Sequence, residues 1–163
     1  MQKDIDIIIY GATGFTGQLC VKYFQSLNTD VNWAIAGRDQ DKLQKVASDN
    51  SVDVEMLIAD SDDEVALDIL TSRAKVILST TGPFHRYGSK LVASCVKNSA
   101  NYVDITGENF WVKGLIAKHH EEASAKGIRI IPSCGYDSIP SDLGVFYSAK
   151  VLNKPIKRIE SFH

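Results

Sequence analysis

Gly11, Gly14 and Gly17 stand three residues apart directly behind the apolar run Ile5-Asp6-Ile7-Ile8-Ile9-Tyr10. Few tasks need that arrangement. A buried strand ending at Tyr10 must turn sharply into a helix. Gly11 permits the turn, Gly14 has no side chain to block a close-lying phosphate, and Gly17 lets the helix pack tightly on the sheet. The helix expected from about Gly14 to Leu27 opens with N–H groups that lack intrahelical partners, and with roughly half a positive charge to offer an anion. Thr13 and Thr16 add hydroxyl donors at the same place. The G-x-x-G-x-x-G spacing is one residue longer in its first step than the G-x-G-x-x-G fingerprint. Its position between a strand and a helix makes it a dinucleotide cradle. Gly11, Thr13, Gly14, Phe15, Thr16 and Gly17 are therefore the first cofactor-binding candidates.

The second strand ends Ala34-Ile35-Ala36-Gly37-Arg38. In a dinucleotide fold its tip lies beside the adenosine ribose, where a carboxylate suits the 2′-OH of NAD and an arginine suits the 2′-phosphate of NADP. Arg38 can make a charge-assisted, bidentate phosphate contact, which favours NADP. Asp39 follows at once and keeps NAD open. Asp60, at the end of a third strand, is placed either to reach the adenine amino group or to cap the helix starting near Asp62.

The fourth strand runs into Ser79-Thr80-Thr81-Gly82-Pro83-Phe84-His85-Arg86-Tyr87-Gly88. Ligands bind beyond the carboxyl ends of parallel strands, so this loop should border the cofactor's ribose and pyrophosphate. Thr81, Gly82, Pro83, Phe84 and Tyr87 join the candidates, with His85 more simply a surface histidine. A fifth strand brings Asp104, Thr106 and Glu108 to the same edge, and a sixth brings the segment Ser133–Asp142. Loops converging in this way describe a crevice. Cys134 has no identifiable neighbouring base and reads as a small buried hydrophobe. Adjacent histidines on a helix point in different directions, so His119-His120-Glu121-Glu122 reads as a solvated helix face and no metal site is expected.

To position these residues, β-rich runs must alternate with helices, the pattern of an α/β parallel sheet. Strands are predicted at about 5–10, 31–36, 54–58, 75–80, 102–104 and 128–132. Helices are predicted at about 14–27, 40–49, 62–71, 88–98, 110–126 and 140–152. Continuous apolar runs such as Val76-Ile77-Leu78 imply helices on both faces of a doubly wound, Rossmann-type sheet of about six strands. Residues 1–153 make one dinucleotide-binding domain. After Pro155, the apolar Ile156, Ile159 and Phe162 begin a new helix or strand, and residues 154–163 are expected to start a second domain, for substrate or dimerisation.

With 163 residues, 44% hydrophobic and 23% charged, the chain has the make-up of a globular protein with a real core. The net charge of −2 gives no reason to expect nucleic acid. No apolar run approaches a membrane span. Cys20, Cys95 and Cys134 form no close-spaced pair, which suits a reducing, cytoplasmic setting.

Four blocks in order resemble the NADP-binding domain of the saccharopine dehydrogenase-like oxidoreductases, a group that includes proteins similar to trans-acting enoyl reductases. They are Gly11–Gly17, Ala36-Gly37-Arg38, Gly82-Pro83-Phe84 with Tyr87-Gly88, and Asp104–Glu108 followed by Cys134–Asp142. The resemblance implies a nicotinamide cofactor, a second domain that completes a small-molecule substrate pocket, and a homodimer of the longer protein. It puts Tyr136 and Asp137 on the substrate side, with no catalytic acid or base assigned. Gly135-Tyr136-Asp137-Ser138-Ile139-Pro140 departs from the Gly-x-Asp-Pro-Gly stretch of saccharopine reductases, which turns the reading from saccharopine itself towards the broader branch. The expected reaction is hydride transfer between NADP(H) and an unidentified substrate, with the isolated chain inactive. A short-chain-type reductase would need tyrosine with lysine four residues on, and no tyrosine here has it: Tyr87 and Tyr147 have lysine three later. A non-catalytic dinucleotide-binding scaffold is the alternative from another class.

Overall fold

The computed structural model describes residues 3–27, 29–152 and 154–160. Strands β1 (Ile5–Tyr10), β2 (Trp33–Gly37), β3 (Glu55–Ile58), β4 (Ala74–Ser79), β5 (Asn101–Asp104) and β6 (Ile130–Ile131) alternate with helices α1 (Phe15–Ser26), α2 (Gln40–Asp49), α3 (Glu64–Arg73), α4 (Phe84–Lys97), α5 (Asn109–Ala125) and α6 (Ile139–Leu152). All strand pairs are parallel and the order is β3-β2-β1-β4-β5-β6. This is the doubly wound arrangement read from the alternation of apolar runs. The chain reverses direction across the sheet between β1 and β4, and a crevice opens there beyond the strand ends.

Two apolar layers sandwich the sheet. One packs α3, α4 and α5 against Ile8, Ile77 and Tyr102, all fully buried. The other packs Val21 of α1 and Leu43, Val46 and Ala47 of α2 against Ile9 and Ile35. Each of the buried Val, Leu and Ile side chains contributes about 1.5–3 kcal/mol through burial. At the base of the sheet Arg73 ties Asp4 to Glu55, fastening the ends of three neighbouring segments.

The element boundaries differ from expectation in two informative places. Helix α4 begins at Phe84, four residues before the predicted start at Gly88, because its first N–H groups find a carboxylate far along the chain. Residues 154–160, expected to open a helix or strand, have neither and are mostly exposed. Phe162 lies outside the described residues. Helix α6 buries none of its residues.

Candidate functional site

The turn after β1 is built by backbone hydrogen bonds. Gly11 and Ala12 donate to Ala36 O at 2.9 and 3.2 Å, and Gly14 donates to Gly11 O at 3.0 Å. Gly11 has φ of +85°, a conformation that favours glycine, and a Cβ there would collide with Thr81 Oγ1. A Cβ on Gly17 would collide with Gly11 O, so the turn and α1 can approach only because both residues are glycine. Gly14 is different. Its Cβ would meet only Gly11 O at 3.4 Å, leaving space on its outer side. Gly14 is also the N-cap of α1, with no side-chain cap and no acidic residue in the first turn. The positive end of α1 thus faces an open space uncompensated.

That space is a cleft of about 400 Å³. Gly11, Thr13 and Gly14 form its floor, Gly37 and Arg38 come from the end of β2, and Thr80 to Pro83 come from the loop after β4, with Tyr10, Ser61 and Tyr87 completing the wall. Thr80 N–H donates to Tyr10 O at 2.9 Å and its hydroxyl to Gly11 O at 3.2 Å, locking the loop to the glycine turn. Thr81 Oγ1 is buried there without a hydrogen-bond partner among the described residues.

Arg38 and Asp39 have separate tasks. Asp39 caps α2, accepting from Lys42 N at 3.1 Å and pairing with Lys42 Nζ at 3.2 Å. The Lys42 N–H and ammonium hold its carboxyl below the usual range. Arg38 is exposed on the cleft wall and makes no ion pair among the described residues. Asp60 accepts from Asp62 N at 2.9 Å and does not line the cleft, whereas its neighbour Ser61 does. Asp63, and not Asp60, caps α3, accepting from Val65 and Ala66 N–H at 3.0 Å.

The remaining candidates divide. Thr81, Gly82, Pro83 and Tyr87 line the cleft, with Gly82-Pro83 a cis peptide. Phe84 turns into the core and packs on Trp111, with ring centroids 5.9 Å apart. Phe15 is 83% exposed, Thr16 is half-buried, and neither lines the cleft. Gly17 lies buried beneath it. Tyr136 and Asp137 are exposed and also lie outside the cleft lining.

Glu108 has a role that no sequence spacing reveals. Its carboxylate accepts from Phe84 N and His85 N, both at 2.8 Å, and meets His85 Nδ1 at 2.7 Å. It caps α4 from 24 residues away. Burial would raise the Glu108 pKa, but the two N–H donors and the imidazole bring it below the usual range. Tyr10, Gly37, Ser61 and Thr80 were not singled out from sequence. Only the pairing of strand ends could have found them.

Asp104 and Thr106 are structural. Asp104 is buried, accepting from Tyr102 Oη, Thr106 N and Ser133 N at 2.9 Å each. Burial raises its pKa despite these donors. Thr106 Oγ1 accepts from Glu108 N at 3.0 Å. Burial likewise raises the Cys134 thiol, which donates to Ile131 O at 3.2 Å. His119 departs from the solvated face expected of it: it is 8% exposed beside β6, and burial lowers its pKa. It borders a second, mainly apolar depression of about 390 Å³ between α5 and β6, which holds nothing resembling the glycine cradle. Among the described residues no His/Cys/Asp/Glu group could hold a metal ion, and no helix is long and apolar enough to cross a membrane.

Residues 7–131 match the family model of the saccharopine dehydrogenase NADP-binding domain. The chain is 39% identical over 148 residues to a trans-acting enoyl reductase of Mycobacterium leprae, covering 89% of this chain and 35% of that protein. It is 35% identical over 176 aligned positions to a saccharopine dehydrogenase-like oxidoreductase of Mus musculus, covering 99% of this chain and 41% of that one. In fold it is similar to the L-glutamate-forming saccharopine dehydrogenase of Saccharomyces cerevisiae, with a TM-score of 0.69 at 19% identity over 91% of this chain and 31% of the other. It thus spans little more than a third of the curated relatives it matches. With a Rossmann-type sheet, a glycine turn under an uncapped helix and this family match over most of its length, the chain belongs to the saccharopine dehydrogenase NADP-binding domain family.

Proposed function

We propose that the cleft between β1, β2 and β4 binds NADP(H) and that the whole protein is an oxidoreductase of which this chain is the cofactor-binding part. The glycine turn and the N–H groups at the start of α1 receive the pyrophosphate. Arg38 pairs with the 2′-phosphate. Thr80, Thr81, Gly82, Pro83 and Tyr87 border the inner half of the cofactor. Phe84 braces this shape from the core, Asp60 flanks it, Phe15 and Thr16 offer first-turn N–H groups of α1 to the pyrophosphate, and Tyr136 and Asp137 face the substrate side once a second domain is present. Bound NADPH would supply hydride; the protein residues orient it and shape the charge around it.

The observation that carries this reading is the division of labour between Arg38 and Asp39. A guanidinium with no ion-pair partner among the described residues lines the cleft where the 2′-phosphate would lie, while the neighbouring carboxylate is engaged as a helix cap. A fluorescence titration with NADPH and NADH tests it. NADPH should bind more tightly, and Arg38→Ala should weaken NADPH by about tenfold to a hundredfold, the loss of one charge-assisted contact, while leaving NADH nearly unchanged. Equal affinities for the two nucleotides would overturn the assignment.

The activity belongs to the longer polypeptide. Residues 1–153 act as the cofactor domain and the segment from residue 154 leads into a second domain that closes on a small-molecule substrate. The exposed, irregular course of residues 154–160 supports that boundary. An enoyl group, by analogy with the mycobacterial relatives, heads the substrate panel. This chain alone should bind cofactor without turnover. The free thiols Cys20, Cys95 and Cys134 support a cytoplasmic location.

A further inference from the structure

One row of side chains crosses five strands on the α1–α2 side of the sheet: Ile35, Ile9, Leu78, Val103 and Ile131, in register. Ile35 and Ile9 are fully buried, Leu78 and Val103 half-buried, and Ile131 is 45% exposed. The adjoining row on the opposite side is Ala34, Ile8, Ile77, Tyr102 and Ile130. Its first four members are fully buried. The sheet is therefore closed on both sides at β1 and β2, while its α1–α2 side is only partly covered at β5 and largely uncovered at β6.

The residue types do not match that exposure. Val76-Ile77-Leu78 and Ile130-Ile131 are continuous apolar runs, the pattern of strands buried on both faces and not of a half-solvated sheet. Helix α6 makes the same point. Its only charged residues are Asp142 and Lys150, yet Leu143, Phe146, Tyr147 and Val151 are all exposed and no residue is buried. A helix that is apolar all round belongs inside a larger structure. Exposed apolar surface of this extent marks an interaction site.

We infer that the uncovered β5–β6 face and α6 are both docking surfaces, and that their occupant is an apolar face of the second domain of the same polypeptide. This rests on the two-domain reading above. The lengths of the relatives single out that occupant, since the chain covers only 35–41% of proteins that are 35–39% identical to it. Both surfaces are apolar, as an interface that never separates requires; a transient partner would meet a more polar one.

Hydroxyl-radical footprinting tests this, run in parallel on the 163-residue chain and on the polypeptide extended through its natural second domain. Ile131, Phe146 and Tyr147 should label freely in the short chain and severalfold less in the long one. Val65 and Ile69, exposed on α3, serve as controls that should label equally in both. Ile131→Asp should lower the Tm of the long form while leaving that of the short chain nearly unchanged. Equal labelling of Ile131, Phe146 and Tyr147 in both forms would overturn the inference. So would protection already present in the short chain and lost on dilution, because a second copy would then be the occupant. NADPH titration of both forms is read separately, so failure of the docking surfaces and failure of the cofactor site are told apart.

Discussion

The β1–β2 half of the sheet and its β5–β6 half are made from the same strand–helix alternation, yet they are held by different forces. At β1 and β2, apolar side chains are buried on both faces, and Gly11 and Gly17 let α1 sit almost on the turn backbone. Towards β5 and β6 one face is progressively uncovered, and the loops are fastened by polar clasps. Asp104 gathers Tyr102, Thr106 and Ser133, and Glu108 holds the start of α4. The cofactor cleft lies where the two regimes meet. The tightly packed half fixes the glycine turn as a rigid floor, and the polar half positions the Thr80–Pro83 wall.

The widest separation between the halves should come from equivalent truncations in one register row. Ile9→Ala is expected to cost about 3–4 kcal/mol in urea unfolding, and Ile131→Ala about 1 kcal/mol or less, because only the first leaves a cavity. Equal costs would show that β6 is as closed as β1. Asp104→Ala should cost about 3 kcal/mol, since it strands a buried tyrosine hydroxyl and two N–H groups around a lost carboxylate. A loss below about 1 kcal/mol would mean the clasp is incidental. Gly17→Ala should cost about 2 kcal/mol and weaken NADPH binding as well, because the new Cβ must push α1 away from Gly11 O. Unchanged affinity would separate the floor of the cleft from the packing beneath it.

The smallest expected effect is a pH dependence at the β6 end. Burial lowers the folded-state pKa of His119 below its ordinary 6.5, so the folded protein binds fewer protons there than the unfolded chain. Its contribution is complete above pH 6.5 and declines as the pH falls through the folded-state pKa. Lys118 opposes the imidazolium and Glu122 favours it, and Arg129 lines the same depression. Denaturation midpoints at pH 7.5 and 5.5 should differ more in the natural chain than in His119→Gln. An identical difference in the two would place His119 in solvent.

Much of this was legible along the chain because the signals are local. Helix α2 runs from Gln40 to Asp49 as predicted, since Asp39 caps it and Leu43, Val46 and Ala47 repeat at helical spacing. Strand β1 matches because Ile5–Tyr10 is an apolar run ended by a glycine. The start of α4 was not legible, because the carboxylate that satisfies its first N–H groups is on Glu108, across a strand and a loop. Nor was the inward turn of Phe84, which depends on Trp111 and on the absence of a side chain at Gly88, where a Cβ would come within 2.7 Å of the indole.

The sequence by itself determined the alternation of elements, the glycine turn and the presence of an arginine at the end of β2. Each depends on residues that are neighbours in the chain, where backbone sterics and helical or strand periodicity act directly. Only the tertiary structure decided that Arg38 stands on the wall of the cleft, and that Glu108 serves α4. It alone decided that Ile131 is left open where Ile9 is sealed. Those outcomes depend on which strand ends and helix starts meet in space, and parallel pairing brings together segments that no short-range rule connects.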